Sequence, residues 1–399
     1  MTTLSAMSNL ATGLEMMKLG SYEHDVDYSN SYLLCQRVGS LLALAFAVFD
    51  LETAFGESDR VFYGNPRSPL DVDADDIISF IDIHFPHQTT GVLVPKRRLS
   101  TDDVVKLLQF DDVVNYYATI MAESALGNIP GQKGNRNSCS ETEIGRFKKS
   151  LYLLHLASSL FPRDDQRNAA IRQRAEDIEP AWRHFWLKFA PWELQQTRCV
   201  QELLAVHVRS VLKSDASKLG KRVHTCLDLK LLKAFVANEG LAALRKLEGL
   251  GSQRGLETSL AAFLAFGVGW MRHEPWNYDQ DTIYLKQAAD LSHLDLTTIL
   301  RKYPEAESGP QDVWMYTLLR VHVDDVMFSR GIHFLQCGQH ATLWAYPFWD
   351  RERLDAITNG ALPATAEMES VGDVYVFTKD VEYYADFRLP TYCTCKTSE

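Results

Sequence analysis

Cysteine is scarce in this chain: seven among 399 residues, an odd number, with only Cys393 and Cys395 close together. A disulfide framework in a secreted protein is denser and even-numbered, so a reducing compartment, cytoplasm or nucleus, is expected. Residues 1–17 hold no Lys or Arg and no continuous apolar stretch, so no secretory signal is expected. Long hydrophobic runs are missing as well. Leu41–Phe49 stops at Asp50, and Leu260–Met271 is interrupted by Gly267 and Gly269. Both are shorter than the roughly 20 residues of a membrane-spanning helix. Cations are in deficit, 41 Lys and Arg against 52 Asp and Glu, for a net charge of −11. That balance argues against non-specific nucleic-acid binding and against a polybasic membrane contact, because both need clustered cations. Glycine (22) and proline (14) together fall below their usual share, which favours helix over turn-rich β architectures.

What is present is a large apolar fraction, 46%, with 11% aromatics, enough to build a sizeable core. Apolar residues recur at three- and four-residue steps over Ser29–Phe49, Asp73–Ile83, Thr101–Met121, Glu141–Phe161, Asp164–Phe189, Trp192–Leu212, Leu227–Leu250, Leu256–Met271 and Asp312–Phe328. Thr101 is placed to cap one of these helices, and Pro191 to open another. Asp350–Ile357 reads as a short helix. Val92–Val94 and the alternating Asp373–Thr378 read as short strands. Gly127–Ser140, rich in Gly, Asn and Ser, reads as a linker. The expectation is a mainly α protein, an irregular multi-helix assembly with a minor β element near the C-terminus. It divides into an N-terminal helical region 1–126, a linker 127–140 and a C-terminal helical region 141–399.

The acids offer the first candidates for chemistry. In Asp111-Asp112-Val-Val-Asn115, Asp111 and Asn115 stand one turn apart on a helix face, and paired carboxylates there can hold Mg²⁺. With the length and the helical pattern, this motif resembles that of the class I terpene cyclases, which implies a Mg²⁺-dependent enzyme of prenyl diphosphates as an alternative reading. The second metal motif of that family is absent, and Asp164-Asp165-Gln-Arg-Asn168 fits the first pattern equally well. Acids at helix starts are otherwise explained by the helix dipole. His322 with Asp325 has helical metal-ligand spacing but lacks further ligands, and Asp82, His84 and His87 have no second half nearby. Cys393 and Cys395 are separated by one residue, against two to four in a zinc half-site, and His273-Glu274 lacks the second histidine of a zinc protease. No nucleophile elbow, phosphate loop or dinucleotide fingerprint occurs. Accordingly no catalytic, cofactor-binding or metal-ligating residue is assigned. Trp182, Phe185, Trp186 and Phe189 form a stripe at helical spacing, which reads as a core seam, with a protein-binding groove as the alternative.

Three segments carry a further resemblance. Phe185-Trp-Leu-Lys-Phe-Ala-Pro-Trp-Glu193 with Gln196, Cys199 and Val200 is one. Glu143-Ile-Gly-Arg-Phe-Lys-Lys-Ser-Leu-Tyr-Leu-Leu-His155 with Leu160-Phe161 is the second, and Tyr346-Pro-Phe-Trp-Asp-Arg-Glu-Arg-Leu354 the third. In order and content, over about residues 141–355, they resemble blocks of a filamentous-fungal family of uncharacterised proteins, many with an N-terminal F-box. The resemblance implies a helical protein-interaction region and, where an F-box is present, a substrate receptor of a ubiquitin ligase. An F-box usually opens with Leu-Pro near the N-terminus. Here the first proline is Pro66, and Leu-Pro occurs at 362–363 and 389–390. The expectation is therefore a non-catalytic intracellular protein that binds other proteins, with no nucleic-acid or membrane partner.

Overall fold

A computed structural model describes residues 34, 36–54, 74–86, 99–129, 138–161, 180–213, 232–233, 235–236, 240–249, 308–320, 343–360, 362 and 364. Of these residues 85% are helical and none lies in a strand, so the protein is mainly α. The strands expected at Val92–Val94 and Asp373–Thr378 and the helix expected at Leu256–Met271 lie outside the described residues. So do His87, His273, Glu274, His322, Asp324, Asp325, Cys393 and Cys395.

The helices are α1 (Leu42–Ala54), α2 (Ala74–His84), α3 (Thr101–Gly127), α4 (Glu141–Leu160), α5 (Pro191–Lys213), α6 (Leu241–Gly249), α7 (Ser308–Arg320) and α8 (Arg351–Thr358). Two compact units are built from them, each from three stretches of chain. One takes Met1–Tyr117, Leu151–Lys188 and Val208–Arg272, the other Ala118–Ser150, Phe189–His207 and His273–Glu399.

In the first unit α1 is apolar on every side over Leu42–Phe49, up to Asp50, and Leu42, Leu44, Ala45, Ala47, Val48, Phe49 and Leu51 are all buried. A helical stretch that is apolar all round has to sit inside the core. It does not continue unbroken from Ser29, as the periodicity predicts. Gly39 adopts φ +53° and a short 3₁₀ turn, Gly39–Leu41, precedes α1. That left-handed backbone is a conformation glycine adopts without a Cβ penalty. Packed against α1 is α2, with Asp75 and Asp76 in its first turn and Ile77, Ile81 and His84 facing inwards at four- and three-residue steps. Gly240, at φ +74°, likewise interrupts the single helix expected over Leu227–Leu250, and α6 starts after it.

The buried positions of α3 are Val104, Leu107, Asp111, Val114, Tyr117, Ala118, Met121, Ala122 and Ala125, a stripe that recurs at three- and four-residue steps. Its cap is Ser100 rather than Thr101. The Ser100 hydroxyl accepts the Asp103 N–H at 3.2 Å, and the Asp103 carboxylate accepts the Ser100 N–H at 2.9 Å. This reciprocal arrangement satisfies two orphan donors, which Thr101 could not do from inside the helix.

In the second unit α5 opens at Pro191, where the missing N–H costs no helical bond. Glu193 supplies the cap that Ala190 cannot, accepting the Ala190 N–H at 2.8 Å. The core is aromatic. Phe147 stacks on Phe348 with ring centres 3.9 Å apart and planes within 9°, and Trp192 meets Trp314 edge-on at 6.4 Å. The first turn of α7 lies against the backbone that leads into α8, so closely that a Cβ on Gly309 would stand 2.4 Å from the Trp349 carbonyl oxygen. After Thr358 the chain stops the helix with Asn359 and Gly360 at φ +53° and +71°, and the Gly360 N–H returns to the Asp355 carbonyl at 2.8 Å. Among the described residues no helix is long and apolar enough to cross a membrane.

Candidate functional site

A dense polar cluster lies in the second unit, where the first turn of α4 meets the segment Tyr346–Arg353. Ser140-x-x-Glu143 is a capping box. The Ser140 hydroxyl accepts the Glu143 N–H at 3.1 Å, and Glu143 accepts the Ser140 N–H at 2.9 Å. Asp350 occupies the N-cap position of α8, yet its carboxylate makes no bond to the N–H groups of its own helix. It accepts instead from α4 and its cap: Ser140 Oγ at 2.6 Å, Thr142 Oγ1 at 2.9 Å and Arg146 Nη2 at 2.7 Å. In exchange Glu143 Oε1 accepts the Asp350 N–H at 3.1 Å. Two helix starts, 210 residues apart, are thus tied together by one backbone N–H on Glu143 and by side-chain donors on Asp350.

Arg353, from the first turn of α8, completes this latch. Its Nε and Nη2 donate to the two Glu143 oxygens, each at 2.8 Å, and Nη2 also reaches the Ser138 carbonyl at 2.9 Å. The Glu143 side chain is 1% exposed, so this fork-to-fork pair is fully desolvated on the acid side. Arg146 Nη1 donates to the Phe348 carbonyl at 2.6 Å, Gln196 to the Pro347 carbonyl at 2.7 Å, and Gln195 to the Tyr346 hydroxyl. Lys149 pairs with Glu193. Ala345, a non-glycine residue at φ +52°, turns the chain into the 3₁₀ segment Tyr346–Phe348. Such a conformation costs on the order of 1 kcal/mol. Here it is overdetermined by the Phe348 N–H on the Ala345 carbonyl (3.0 Å) and by the Trp349 indole on the Trp344 carbonyl (2.8 Å).

The electrostatics are those of a fastening. Burial alone would raise the Asp350 pKa. The bonds from Ser140, Arg146 and Thr142 and the Arg146 charge outweigh it and hold the carboxyl below its ordinary range. A carboxylate so stabilised is a weak base, which does not activate the hydroxyls beside it. Burial, followed by the Glu143 charge, pushes the neighbouring Cys139 thiol up to about 11, so little thiolate forms at neutral pH.

In the first unit the acids suggested by sequence are engaged by a guanidinium. Asp111 is 0% exposed. Its Oδ2 accepts from Arg37 Nη2 at 3.0 Å and Asn115 Nδ2 at 2.7 Å, and its Oδ1 from the Tyr152 hydroxyl at 3.3 Å. Asp112 points outwards and meets the same Arg37 nitrogen at 2.5 Å. The sequence spacing thus does bring Asp111 and Asn115 together, but as acceptor and donor, respectively, of one hydrogen bond. Among the described residues no group of three or more His, Cys, Asp and Glu side chains is placed to hold a metal ion.

Asp82 and His84 diverge, as two residues two apart on a helix must. Exposed Asp82 takes His184 Nε2 at 2.8 Å and Lys188 Nζ at 2.5 Å, whereas His84 turns inwards, 3.7 Å from Asp50 and with its ring centre 4.4 Å from that of Phe80. Trp182, Phe185, Trp186 and Phe189 are all buried, as a core seam requires. Phe161 packs edge-on against Trp182 at 4.9 Å.

Sequence reasoning missed the latch. Ser140-x-x-Glu143 has the pattern of a capping box, but Ser140 falls in the expected linker and Glu143 in the expected helix, and no local signal ties Glu143 to Arg353. No protein-family model matches the chain, and no curated protein or solved structure matches it.

Proposed function

We infer that the chain is a non-catalytic protein-interaction adapter of the cytoplasm or nucleus, of the type associated with F-box proteins in filamentous fungi. The observation that supports this reading is the latch. Glu143, Arg146, Phe147 and Lys149 from one of the three resembling segments, Glu193 and Gln196 from another, and Tyr346–Arg353 from the third bond and stack with one another. Residue types that serve elsewhere as acids, bases and anion ligands are here committed to holding backbone. Rigid helices held this way suit a surface that presents fixed side chains to a partner, since preorganisation lowers the entropy lost on binding. A net charge of −11 favours a protein partner over nucleic acid.

The test is affinity purification of the tagged full-length chain from its native cells, with mass spectrometry of what comes with it. A recurrent stoichiometric protein is the expected result, and a ligase linker subunit among the partners would support the F-box-associated type. Turnover of a defined substrate by the purified chain, lost on changing one acid, would overturn the reading.

A further inference from the structure

We propose that Thr142 is a phosphoacceptor site and that its phosphorylation opens the latch between α4 and α8. Thr142 lies in the first turn of α4 and is exposed, unlike Glu143 beside it. Its hydroxyl donates to both oxygens of Asp350, at 2.9 and 3.1 Å, and lies 2.8 Å from the Ser140 hydroxyl, which donates to the same carboxylate at 2.6 Å. Two hydroxyl donors and one Arg146 guanidinium are what make a single acid stable there.

A phosphate on Thr142 reverses each of these terms. The donor is lost, and a group carrying about −1.5 to −2 charges sits within contact distance of a carboxylate already held in its ionised form. The cations of the latch are Arg146, which holds Asp350, and Arg353, which holds Glu143. A phosphate that pairs with either draws that guanidinium from its acid, and each withdrawal frees a strand of the latch. Arg351 is already engaged by Asp312 and Asp355. The exposed Glu141 beside it gives the acceptor an acidic flank of the kind that kinases with a basic substrate groove select.

The step balances simply. The γ-phosphoryl of a nucleoside triphosphate is transferred by a Ser/Thr kinase to Oγ1, the bridging P–O bond to the diphosphate breaks, and the hydroxyl proton leaves to the kinase base. The inference concerns how α8 is held and stands whichever partner the chain binds.

The experiment incubates native full-length chain with ATP and an acid-directed Ser/Thr kinase, and locates phosphate by peptide mass spectrometry. Hydrogen exchange of the Asp350 amide and the first turn of α8 is then compared before and after. Phosphate at Thr142 should speed exchange there by about tenfold or more, and phosphatase should restore it. Thr142→Val keeps the β-branched shape at an exposed position. It should stay folded, with Asp350 exchange somewhat faster than in the unaltered chain because one donor to its carboxylate is gone, accept no phosphate at residue 142, and show no further change in that exchange through the kinase treatment. Two results would overturn the proposal. One is labelling of Thr142 in denatured chain but not in native chain. The other is native labelling with unchanged exchange in α8.

Discussion

Glu143→Ala is expected to be among the most damaging single substitutions in the second unit. The Glu143 carboxylate is 1% exposed and holds two charge-assisted bonds from Arg353 and two backbone N–H groups, those of Ser140 and Asp350. Truncation leaves both N–H groups without their acceptor and strands Arg353, whose side chain is 14% exposed. Breaking a buried pair by removing one member costs about 3–5 kcal/mol, against about 0–1 for an exposed pair. Glu143→Gln keeps the volume and one oxygen while losing the charge, and should cost about 1–2 kcal/mol. Urea unfolding is a direct assay, because Trp349 lies beneath the Arg353 guanidinium at 5.2 Å and its fluorescence reports on the latch. A double-mutant cycle with Arg353→Met isolates the pair. Coupling below about 0.5 kcal/mol, the scale of an exposed ion pair, would refute the claim that the latch is buried and interlocked.

The remaining expectations are cheaper to check. Gly309→Ala places a methyl 2.4 Å from the Trp349 oxygen and 2.8 Å from the Arg351 nitrogen, both backbone, and should cost about 1–3 kcal/mol. Gly145→Ala, inside a helix with nothing within 4 Å, should instead stabilise by about 0.5–1 kcal/mol, and thermal melts of the two variants check both signs. His84 is held neutral because burial lowers its pKa more than Asp50 raises it. Above about pH 6.5 both folded and unfolded chains carry it neutral. Below that the unfolded chain takes the proton first, so stability falls with pH down to the depressed folded pKa. His84→Gln should flatten that slope in denaturation curves taken between about pH 7.5 and 5.5. Asp111→Asn should destabilise the first unit, whereas Mg²⁺ should leave the melting temperature of the unaltered chain unmoved. A rise with Mg²⁺ would show that the ion displaces Arg37.

Helices were legible wherever one face repeats, and α3 shows why. Its buried stripe recurs at three- and four-residue steps from Val104 to Ala125, with Tyr117 and Ala122 widening it, a period no strand can produce. Pro191 and Asp350 marked helix starts for local steric and electronic reasons. Gly39 and Gly240 escaped notice because an isolated glycine in an apolar run reads the same whether its φ is negative or positive. The acids were the hardest to interpret. A carboxylate at a helical spacing looks like a metal ligand until its counterion is found, and that counterion is remote: Arg37 lies 74 residues from Asp111, and Arg353 lies 210 from Glu143. Sequence periodicity carries no term for such distances.

Those remote pairs have a further consequence for how the fold is specified. Apolar seams on irregular helices are largely interchangeable, since Leu and Ala contacts tolerate a shift of one turn. A buried carboxylate does not. Desolvation makes Glu143 and Asp111 costly anywhere except opposite their own arginines, so the pairs penalise wrong registers more than they stabilise the right one. Replacing both members, Glu143→Leu with Arg353→Met, separates the two effects. Overall stability should change by less than that of Glu143→Ala alone, because no charge is left unpaired. The near-ultraviolet circular dichroism of Trp344 and Trp349 should weaken, because the α8 start is then free to pack in more than one register. Intact aromatic signals together with unchanged stability would mean that the aromatic stack of Phe147 on Phe348 fixes the register, and that the ion pair is dispensable for it.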